Sequence, residues 1–238
     1  NGQLDVVGQV RGTRSMDLDL LPSTLFFGRG NWANTSTAHF RIDSSEVALD
    51  SLVLLNADQR LALGGALSRD PSKAMNFDLL NVRLENIAPL VNGPLLQGAV
   101  TGDGRVFDVY GATYLTSYLC ADSVRIKDKP VGDIKFNAGW SEGQGSIDLN
   151  GELTRGPIKA LDFFGRLEPQ KENKLSLDLV FDRFDLAFIE PYLPGSLRDI
   201  QGLVTGTVDV TGTLAEPLVN GVLDMEDAGL RIDYLNTL

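Results

Sequence analysis

The sequence is poor in the residues that build catalytic and metal centres. Its 238 residues include one cysteine, Cys120, and one histidine, His39. A single cysteine excludes a disulfide within this chain and a zinc site built from cysteines, and Cys120 is expected to be a small apolar core residue. His39 lies in a strand-like run at 37–40, which favours a solvated strand residue over a catalytic base. The sequence therefore predicts a protein that is not an enzyme and that uses no metal or cofactor.

Positive charge is also scarce. The chain carries 21 lysines and arginines against 32 acidic residues, for a net charge of −11. Such a chain repels a phosphate backbone, so nucleic acid is not an expected partner. No apolar run approaches the ~18 residues of a membrane span. Because the chain opens at Asn1 without a signal peptide, we expect a piece of a longer protein whose membrane anchor lies outside it.

What the sequence has in abundance is the alternation of apolar and polar residues that is typical of strands. In 201–220, Val204, Val208 and Val210 alternate with polar residues, so one face of that strand is aliphatic. Similar segments with turn residues between them fill the chain and predict an all-β antiparallel protein. Only 84–90 and 184–192 have helical spacing, and a proline limits each to a turn or two. Periodicity leaves open whether the apolar face is covered by a second sheet or forms an open groove.

The chain also repeats itself. QGAVTG at 97–102 matches QGLVTG at 201–206 in five of six positions, at an offset of 104 residues (201 − 97). The lead-in FDLL at 77–80 matches LDLV at 177–180, and a third match pairs 65–71 with 151–157. The offsets of these two pairs, 100 and 86 residues, imply an insertion of 14 residues, or about two short strands and a turn. The repeat predicts one continuous elongated unit with a first segment at 1–96, a second at 97–200 and the start of a third at 201–238.

The last part of the chain resembles a known family. The run GLVTGTVDVTGTL at 202–214 is followed by Pro217, by VNG at 219–221 and by GLRIDY at 229–234. This succession of a glycine-punctuated strand pair, a proline, Asn-Gly and a further strand is similar to the recurring pattern of the TamB family, within the wider AsmA-like group of bacterial envelope proteins. The strong resemblance covers about the last 65 residues, and a weaker copy lies at 76–126.

The resemblance implies a long antiparallel sheet folded lengthwise into a taco or U-shaped groove with an apolar interior. It implies a place in the periplasm of a Gram-negative bacterium, an inner-membrane anchor outside this chain, and a TamA-like outer-membrane barrel as partner. Members of the family are implicated in phospholipid transfer and in the insertion of outer-membrane proteins.

We therefore expect a non-enzymatic conduit for phospholipid acyl chains, lined by residues in the apolar phase of their strands. The candidate lining residues are Phe77, Leu79, Ile134, Phe136, Ile147, Leu149, Leu177, Leu179, Phe181, Val204, Val208 and Val210. One alternative is a scaffold that pairs its strand edge with strands of outer-membrane proteins. A second is a carbohydrate-binding β-sandwich, for which only Trp32 and Trp140 could begin an aromatic shelf.

Overall fold

The computed structural model describes residues 6–11, 15–27, 30–87, 96–126, 129–141, 143–188 and 197–232. Nearly all of them lie in strands. The strands described are β1 (Val6–Arg11), β2 (Ser15–Leu20), β3 (Ser23–Phe27), β4 (Gly30–Asn34), β5 (Ala38–Asp43), β6 (Glu46–Asn56), β7 (Gln59–Ser68), β8 (Ala74–Arg83), β9 (Leu96–Phe107), β10 (Tyr114–Ile126), β11 (Lys129–Ser141), β12 (Ser146–Arg155), β13 (Ile158–Glu168), β14 (Lys174–Asp185), β15 (Leu197–Thr213) and β16 (Pro217–Ile232). Helical structure in these ranges is limited to α1 (Leu84–Ile87) and a 3-10 turn at Leu186–Phe188.

All these strands belong to one curved antiparallel sheet. From β5 to β16 each strand pairs with the next along the chain, and β1 and β2 precede β5 at the other end. The β3–β4 hairpin leaves this path and joins the sheet through β4 and β6. The predicted all-β antiparallel fold with short connecting helices is confirmed. The pairing continues across the proposed segment limits at 96/97 and 200/201, and both limits fall inside strands, the first in β9 and the second in β15.

The alternation seen in the sequence gives the sheet two chemically different faces. Successive side chains of a strand point to opposite faces, and residues in register on neighbouring strands share a face. Leu79 is in register with Leu61 and Gly102, whereas Asp78 beside it is in register with Ala62 and Asp103. We call the face that carries Leu79 the apolar face and the face that carries Asp78 the polar face.

Buried apolar side chains form three clusters. One joins β2 and β4–β9 and contains Trp32 of the β3–β4 hairpin, which is fully buried. A second joins β10–β15 and contains Leu186 of the 3-10 turn. The third lies at the ends of β10, β11 and β12 that are away from the second cluster. There the Trp140 ring stacks on the Tyr114 ring at a centroid distance of 4.5 Å. The cores therefore lie along the margins of the sheet and under the hairpin.

Bulges occur at matching places in β8 and β14. In β8 the register shifts between Leu79 and Val82, and in β14 it shifts between Phe181 and Phe184. One residue of each bulge has a left-handed backbone, Asn81 with φ 55° and Arg183 with φ 50°. An inserted residue of this kind bends the strand and increases its twist, so the two bulges contribute to the curvature of the sheet.

The two QG-x-VTG copies occupy equivalent positions beside these bulges. The Asn81 N–H donates to Thr101 Oγ1 at 3.0 Å, and the Arg183 N–H donates to Thr205 Oγ1 at 3.1 Å. The last glycines of the copies, Gly102 and Gly206, have φ of 149° and 145°. The sequence repeat is therefore also a repeat of backbone geometry.

The structure corrects the alignment around the repeat. Leu79 pairs with Gly102, whereas Phe181 pairs with Gly206, so Leu79 is equivalent to Phe181 and not to Leu179. The lead-in offset is thus 102 residues instead of 100. The match of 65–71 with 151–157 was wrong as a structural equivalence. The first segment begins in β7, two strands before the QG-x-VTG copy in β9, whereas the second begins in β12, three strands before the copy in β15. The predicted insertion of two strands was also wrong: β13 directly precedes β14 as β7 directly precedes β8, so β13 is the equivalent of β7 and no strand is inserted between them.

The predicted helical segments become connectors. The described part of 84–90 is α1, and the described part of 184–192 includes the 3-10 turn; their remaining residues lie outside the described ranges. Gln59, the first residue of β7 after the β6–β7 turn, accepts hydrogen bonds from the Arg83 N–H at 2.8 Å and from Asn86 Nδ2 at 3.0 Å. These bonds hold the start of α1 against the turn. No helix in the residues described is long and apolar enough to cross a membrane.

Candidate functional site

A continuous apolar row crosses the apolar face from β6 to β16. We call it the Leu79 row, and its members follow the strand register: Leu54, Leu61, Leu79, Gly102, Leu119, Phe136, Gly151, Phe163, Leu179, Val208 and Gly221. Every position is apolar or glycine. Because neighbouring strands lie about 4.8 Å apart, ten spacings make the row about 48 Å long.

The twelve candidate lining residues all lie on this face. Four belong to the Leu79 row: Leu79, Phe136, Leu179 and Val208. The adjacent row on one side contains Phe77, Leu149, Leu177 and Val210, and the adjacent row on the other side contains Ile134 and Phe181; Ile147 and Val204 lie one row further out on either side. Sequence reasoning missed Leu54, Leu61, Leu119 and Phe163 of the Leu79 row. Leu54, Leu119 and Phe163 lie in apolar runs, where the sequence does not show which residue faces which side.

The apolar face is partly accessible. Ile147, Val204 and Val208 are buried, whereas the other nine candidates are half-buried. Within the described ranges the strands form a single sheet, so no second sheet covers this face. Of the two outcomes that periodicity left open, the structure has the open, curved sheet.

Aromatic side chains cover the glycines of the face. A Cβ built on Gly151 would lie 2.4 Å from the Phe163 Cζ atom, and one built on Gly104 would lie 2.3 Å from the Phe77 Cζ atom. Each ring therefore lies flat across the strand beside its own. Cross-strand covering of this kind fills the gap that a glycine leaves in a sheet surface, so the row stays apolar where it has no side chain.

Both margins of the face are narrowed by side chains. At one margin Leu84 of α1 packs against two of the core clusters, and Leu186 of the 3-10 turn is buried in one of them. At the other margin Trp140 lies between the Tyr114 ring and the Phe107 ring, the latter at a centroid distance of 4.8 Å. A ligand on the apolar face would therefore lie along the Leu79 row, between the two margins.

The polar face carries a ladder of ion pairs. Lys135 Nζ lies 2.8 Å from Glu152 Oε1, and Arg166 Nε lies 2.9 Å from Asp148 Oδ1. The hydrogen bond from Lys135 lowers the pKa of Glu152, and the same bond raises the pKa of Lys135. Both groups are thus charged at neutral pH. Because these pairs are open to solvent, they contribute little stability and mainly keep this face wetted.

Cys120 differs from the sequence expectation, and His39 agrees with it. Cys120 was expected in the core, but it lies on the polar face in register with Thr101 and Lys135, because Leu119 and Ala121 take the apolar phase of β10. His39 is exposed as predicted, and its Nδ1 atom lies 2.6 Å from Asp19 Oδ1.

The aromatic shelf expected for a carbohydrate-binding sandwich is not formed by the two tryptophans. Trp32 is fully buried and Trp140 is stacked within a core cluster, so neither ring is presented to a sugar. Within the ranges described, no group of three or more histidine, cysteine, aspartate or glutamate side chains is arranged to hold a metal ion.

Strand β16 forms one edge of the sheet. It pairs with β15 on one side, and it has no second neighbour among the described strands. Its apolar side chains are exposed on both faces: Val222, on the polar face, is 75% exposed, and Met225, on the apolar face, is 57% exposed. Sheet edges are commonly protected by lysine, proline or inward-pointing charge. In β16 Pro217 lies at the start of the strand and charged side chains lie at Asp224, Glu226, Asp227 and Arg231, so the stretch 218–223 has neither proline nor charge.

Comparisons of the chain with protein-family models, with curated proteins and with solved structures find no match.

Proposed function

We propose that this chain is a non-enzymatic conduit segment whose apolar face carries phospholipid acyl chains. The observation that supports this proposal is the Leu79 row, which stays apolar through eleven consecutive strands. A site for one small ligand needs only a local pocket. A track about 48 Å long suits a long, flexible, apolar cargo that moves along the sheet.

The energetics favour such a cargo. Burying a methylene group stabilises by about 0.8 kcal/mol, so a chain of ~16 carbons gains on the order of 10 kcal/mol before the cost of ordering it. The half-buried side chains of the face, among them Leu177 and Leu179, can provide that burial. Since the row is continuous, the gain changes little as a chain slides from strand to strand. This is the condition for transport along the sheet instead of trapping at one point.

The resemblance to the TamB family supports a biological setting for this activity. In that setting the chain stands in the periplasm of a Gram-negative bacterium, between an inner-membrane anchor and a TamA-like outer-membrane barrel. Phospholipid would then pass along the apolar face from one membrane to the other.

Lipid extraction tests the proposal directly. The chain is expressed in a Gram-negative host, purified without detergent and extracted with organic solvent, and the extract is analysed by mass spectrometry. We expect phospholipid to copurify with the protein and to be lost after mild detergent washing. An extract free of acyl species, together with no uptake of a fluorescent phospholipid by the washed protein, would contradict the proposal.

The free edge of β16 supports a second candidate, a scaffold that adds strands of outer-membrane proteins to its own sheet. An added strand would pair with the free backbone groups of β16 and cover Val219, Leu223 and Met225, which lie on its apolar face. The test is binding of a labelled peptide with the alternation of an outer-membrane strand. We expect Leu223→Lys to abolish that binding, because an inward-pointing charge blocks edge pairing. Equal binding by Leu223→Lys and the original chain would exclude the scaffold.

A further inference from the structure

A second surface with the features of a binding site lies on the polar face, centred on Phe164. Half of the Phe164 side chain is exposed, in the middle of a sheet face that is otherwise mainly polar. Two surface depressions meet at this ring. One is lined by Lys135, Asn137, Asn150, Glu152 and Asp162, with the apolar Val180 beside them. The other is lined by Asp148, Arg166, Ser176 and Thr211. We call Phe164 together with the first five residues the Phe164 patch.

The strand register places the ring in line with side-chain amides. Phe164 on β13 is directly opposite Asn150 on β12, and Asn150 is directly opposite Asn137 on β11. The two amides bond to each other, with Asn137 Nδ2 donating to Asn150 Oδ1 at 3.0 Å. An amide has two donor hydrogens and an acceptor oxygen, so each member of this pair keeps a donor and acceptor capacity for a ligand. On its other side Phe164 faces Asp178 of β14, whose carboxylate accepts hydrogen bonds.

Three cations around the patch are paired with carboxylates. Lys135 pairs with Glu152, and Lys159 Nζ lies 2.8 Å from Asp162 Oδ2. In the neighbouring depression Arg166 pairs with Asp148. These three cations are each paired with a carboxylate, and Asp178 beside Phe164 adds a further carboxylate, in keeping with the net charge of −11 of the chain. The additional negative charge disfavours an anionic ligand, whereas an uncharged ligand with hydroxyl groups can use the same carboxylate as a hydrogen-bond acceptor.

The patch also disfavours a peptide ligand. Extended peptides bind sheets mainly by adding a strand at an edge, where backbone groups are free. Strands β11, β12 and β13 are each paired on both sides, so their backbone groups are used within the sheet. A ligand of the Phe164 patch must therefore be recognised by side chains alone, through one aromatic face and a set of donors and acceptors.

We propose that the Phe164 patch binds an uncharged oligosaccharide. A pyranose has an apolar C–H face that packs on an aromatic ring, and its hydroxyl groups both donate and accept hydrogen bonds. One sugar ring lies on Phe164, and its hydroxyl groups bond to Asn137, Asn150 and Asp178. The site is on the face opposite the Leu79 row, so it is independent of the proposed transport of acyl chains. It also differs from the aromatic shelf expected at Trp32 and Trp140.

The test uses the full chain with chitohexaose and cellohexaose as probes, in titrations followed by isothermal calorimetry and by amide chemical shifts. We expect at least one probe to bind weakly and to shift amide signals of β11–β13. Phe164→Ala should weaken that binding about tenfold, and Asn150→Ala should weaken it in the same direction. The matched control is Leu218→Ala, which removes another exposed apolar side chain from the same face on β16 and should leave the affinity unchanged.

Two results would overturn the proposal. One is the absence of binding by the original chain to either probe at millimolar concentration. The other is binding that Phe164→Ala leaves unchanged, since the sugar then lies elsewhere. Because Phe164 is half exposed, its replacement should not unfold the chain, and a circular dichroism melt of the variant verifies this. Lipid extraction from Phe164→Ala should match the original chain, so a failure here is distinguishable from a failure of the conduit.

Discussion

At the scale of the residue, adjacent side chains of one strand lie on opposite faces of the sheet and in different environments. Val208 is buried on the apolar face between Leu179 and Gly221, whereas Thr207 is exposed on the polar face. A carboxylate at position 208 would be removed from water without a partner, and one at position 207 would stay solvated. We expect Val208→Asp to abolish phospholipid uptake and Thr207→Asp to leave it within about twofold of the original chain. Uptake is measured with a fluorescent phospholipid.

This comparison depends on folding. Val208→Asp counts only if circular dichroism and thermal melting show that the variant is folded. A folded Val208→Asp that takes up lipid as well as Thr207→Asp does would mean that the apolar face is not the working surface. The strand-edge scaffold would then be the better account.

Gly206 tests the backbone of the repeat. Its φ of 145° suits glycine, and an added Cβ would lie 2.2 Å from the Val222 carbonyl oxygen on the neighbouring strand. We expect Gly206→Ala to lower the free energy of unfolding by about 1–3 kcal/mol. The control is Gly143→Ala, because no atom lies within 4 Å of a Cβ built there. Urea denaturation measures both variants, and equal midpoints would contradict the described geometry.

The pKa of Glu152 gives a dependence on pH. Its hydrogen bond from Lys135 lowers this pKa below the ordinary value of 4.5. A lowered carboxyl pKa stabilises the folded chain above the unfolded value, and this contribution is lost as the pH falls through the folded value. We expect Glu152→Gln to be slightly less stable than the original chain at pH 7, with the difference shrinking below pH 4.5. The test is to measure the urea midpoints of both chains across that pH range. A difference in midpoint that stayed constant would contradict the stabilising role of the Lys135–Glu152 pair.

At the scale of the element, the bulges in β8 and β14 connect the sequence repeat to the curvature of the sheet. The threonine in each QG-x-VTG copy accepts a hydrogen bond from the left-handed residue of the bulge, as Thr205 does from Arg183. We expect Thr205→Val to cost about 0.5–1.5 kcal/mol of stability, since a backbone N–H loses its acceptor. Thr207→Val, two residues along on the same face, should cost less. Hydrogen exchange at the Arg183 amide should accelerate in Thr205→Val, and an unchanged rate would contradict this role.

The sequence was sufficient to predict the strands, their apolar faces and the existence of the repeat. It could not set the alignment of the lead-in, because a shift of two residues keeps every side chain on its own face. Leu79 was therefore matched with Leu179, and only the pairing with Gly102 and Gly206 shows that Phe181 is the equivalent residue. Cys120 was misplaced for a related reason. Because residues 118–121 form an apolar run, the sequence does not show which of them lie on the apolar face. The register of β10 with its neighbours determines this.

The tryptophans illustrate a different limit. Sequence predicts that an aromatic residue is in a strand, but not whether a neighbouring segment covers it. Trp32 is buried because the β3–β4 hairpin leaves the main path of the sheet and packs against β6, a contact that alternation does not encode. Phe164 was missed as a surface residue because it directly follows Phe163, and the sequence does not show which of the two rings lies on the apolar face.

At the scale of the whole molecule, each strand depends on its neighbours for pairing and for coverage of its apolar side. A fragment of residues 97–238 keeps β10–β16 intact and almost all of β9. A fragment of residues 124–238 begins inside β10 and leaves β11 as a bare edge. Both fragments have an unpaired edge strand, but the first keeps all the buried residues of the two clusters in β10–β15, whereas the second loses Tyr114 from one of them. We therefore expect the second fragment to aggregate at concentrations where the first stays soluble. Sedimentation velocity compares them, and equally good behaviour of the two would contradict the repeat as the stable unit.

The central claim is that acyl chains lie on the apolar face of this sheet, and site-specific photocrosslinking tests it most directly. A photoreactive benzoylphenylalanine is placed at Leu179, on the Leu79 row, or at Val180, an apolar residue of the polar face that is 39% exposed. Cells are irradiated, and the purified chains are analysed by intact-protein mass spectrometry. We predict a phospholipid adduct at position 179 and none at position 180. Adducts of equal yield at both positions, or an adduct at position 180 alone, would contradict the account.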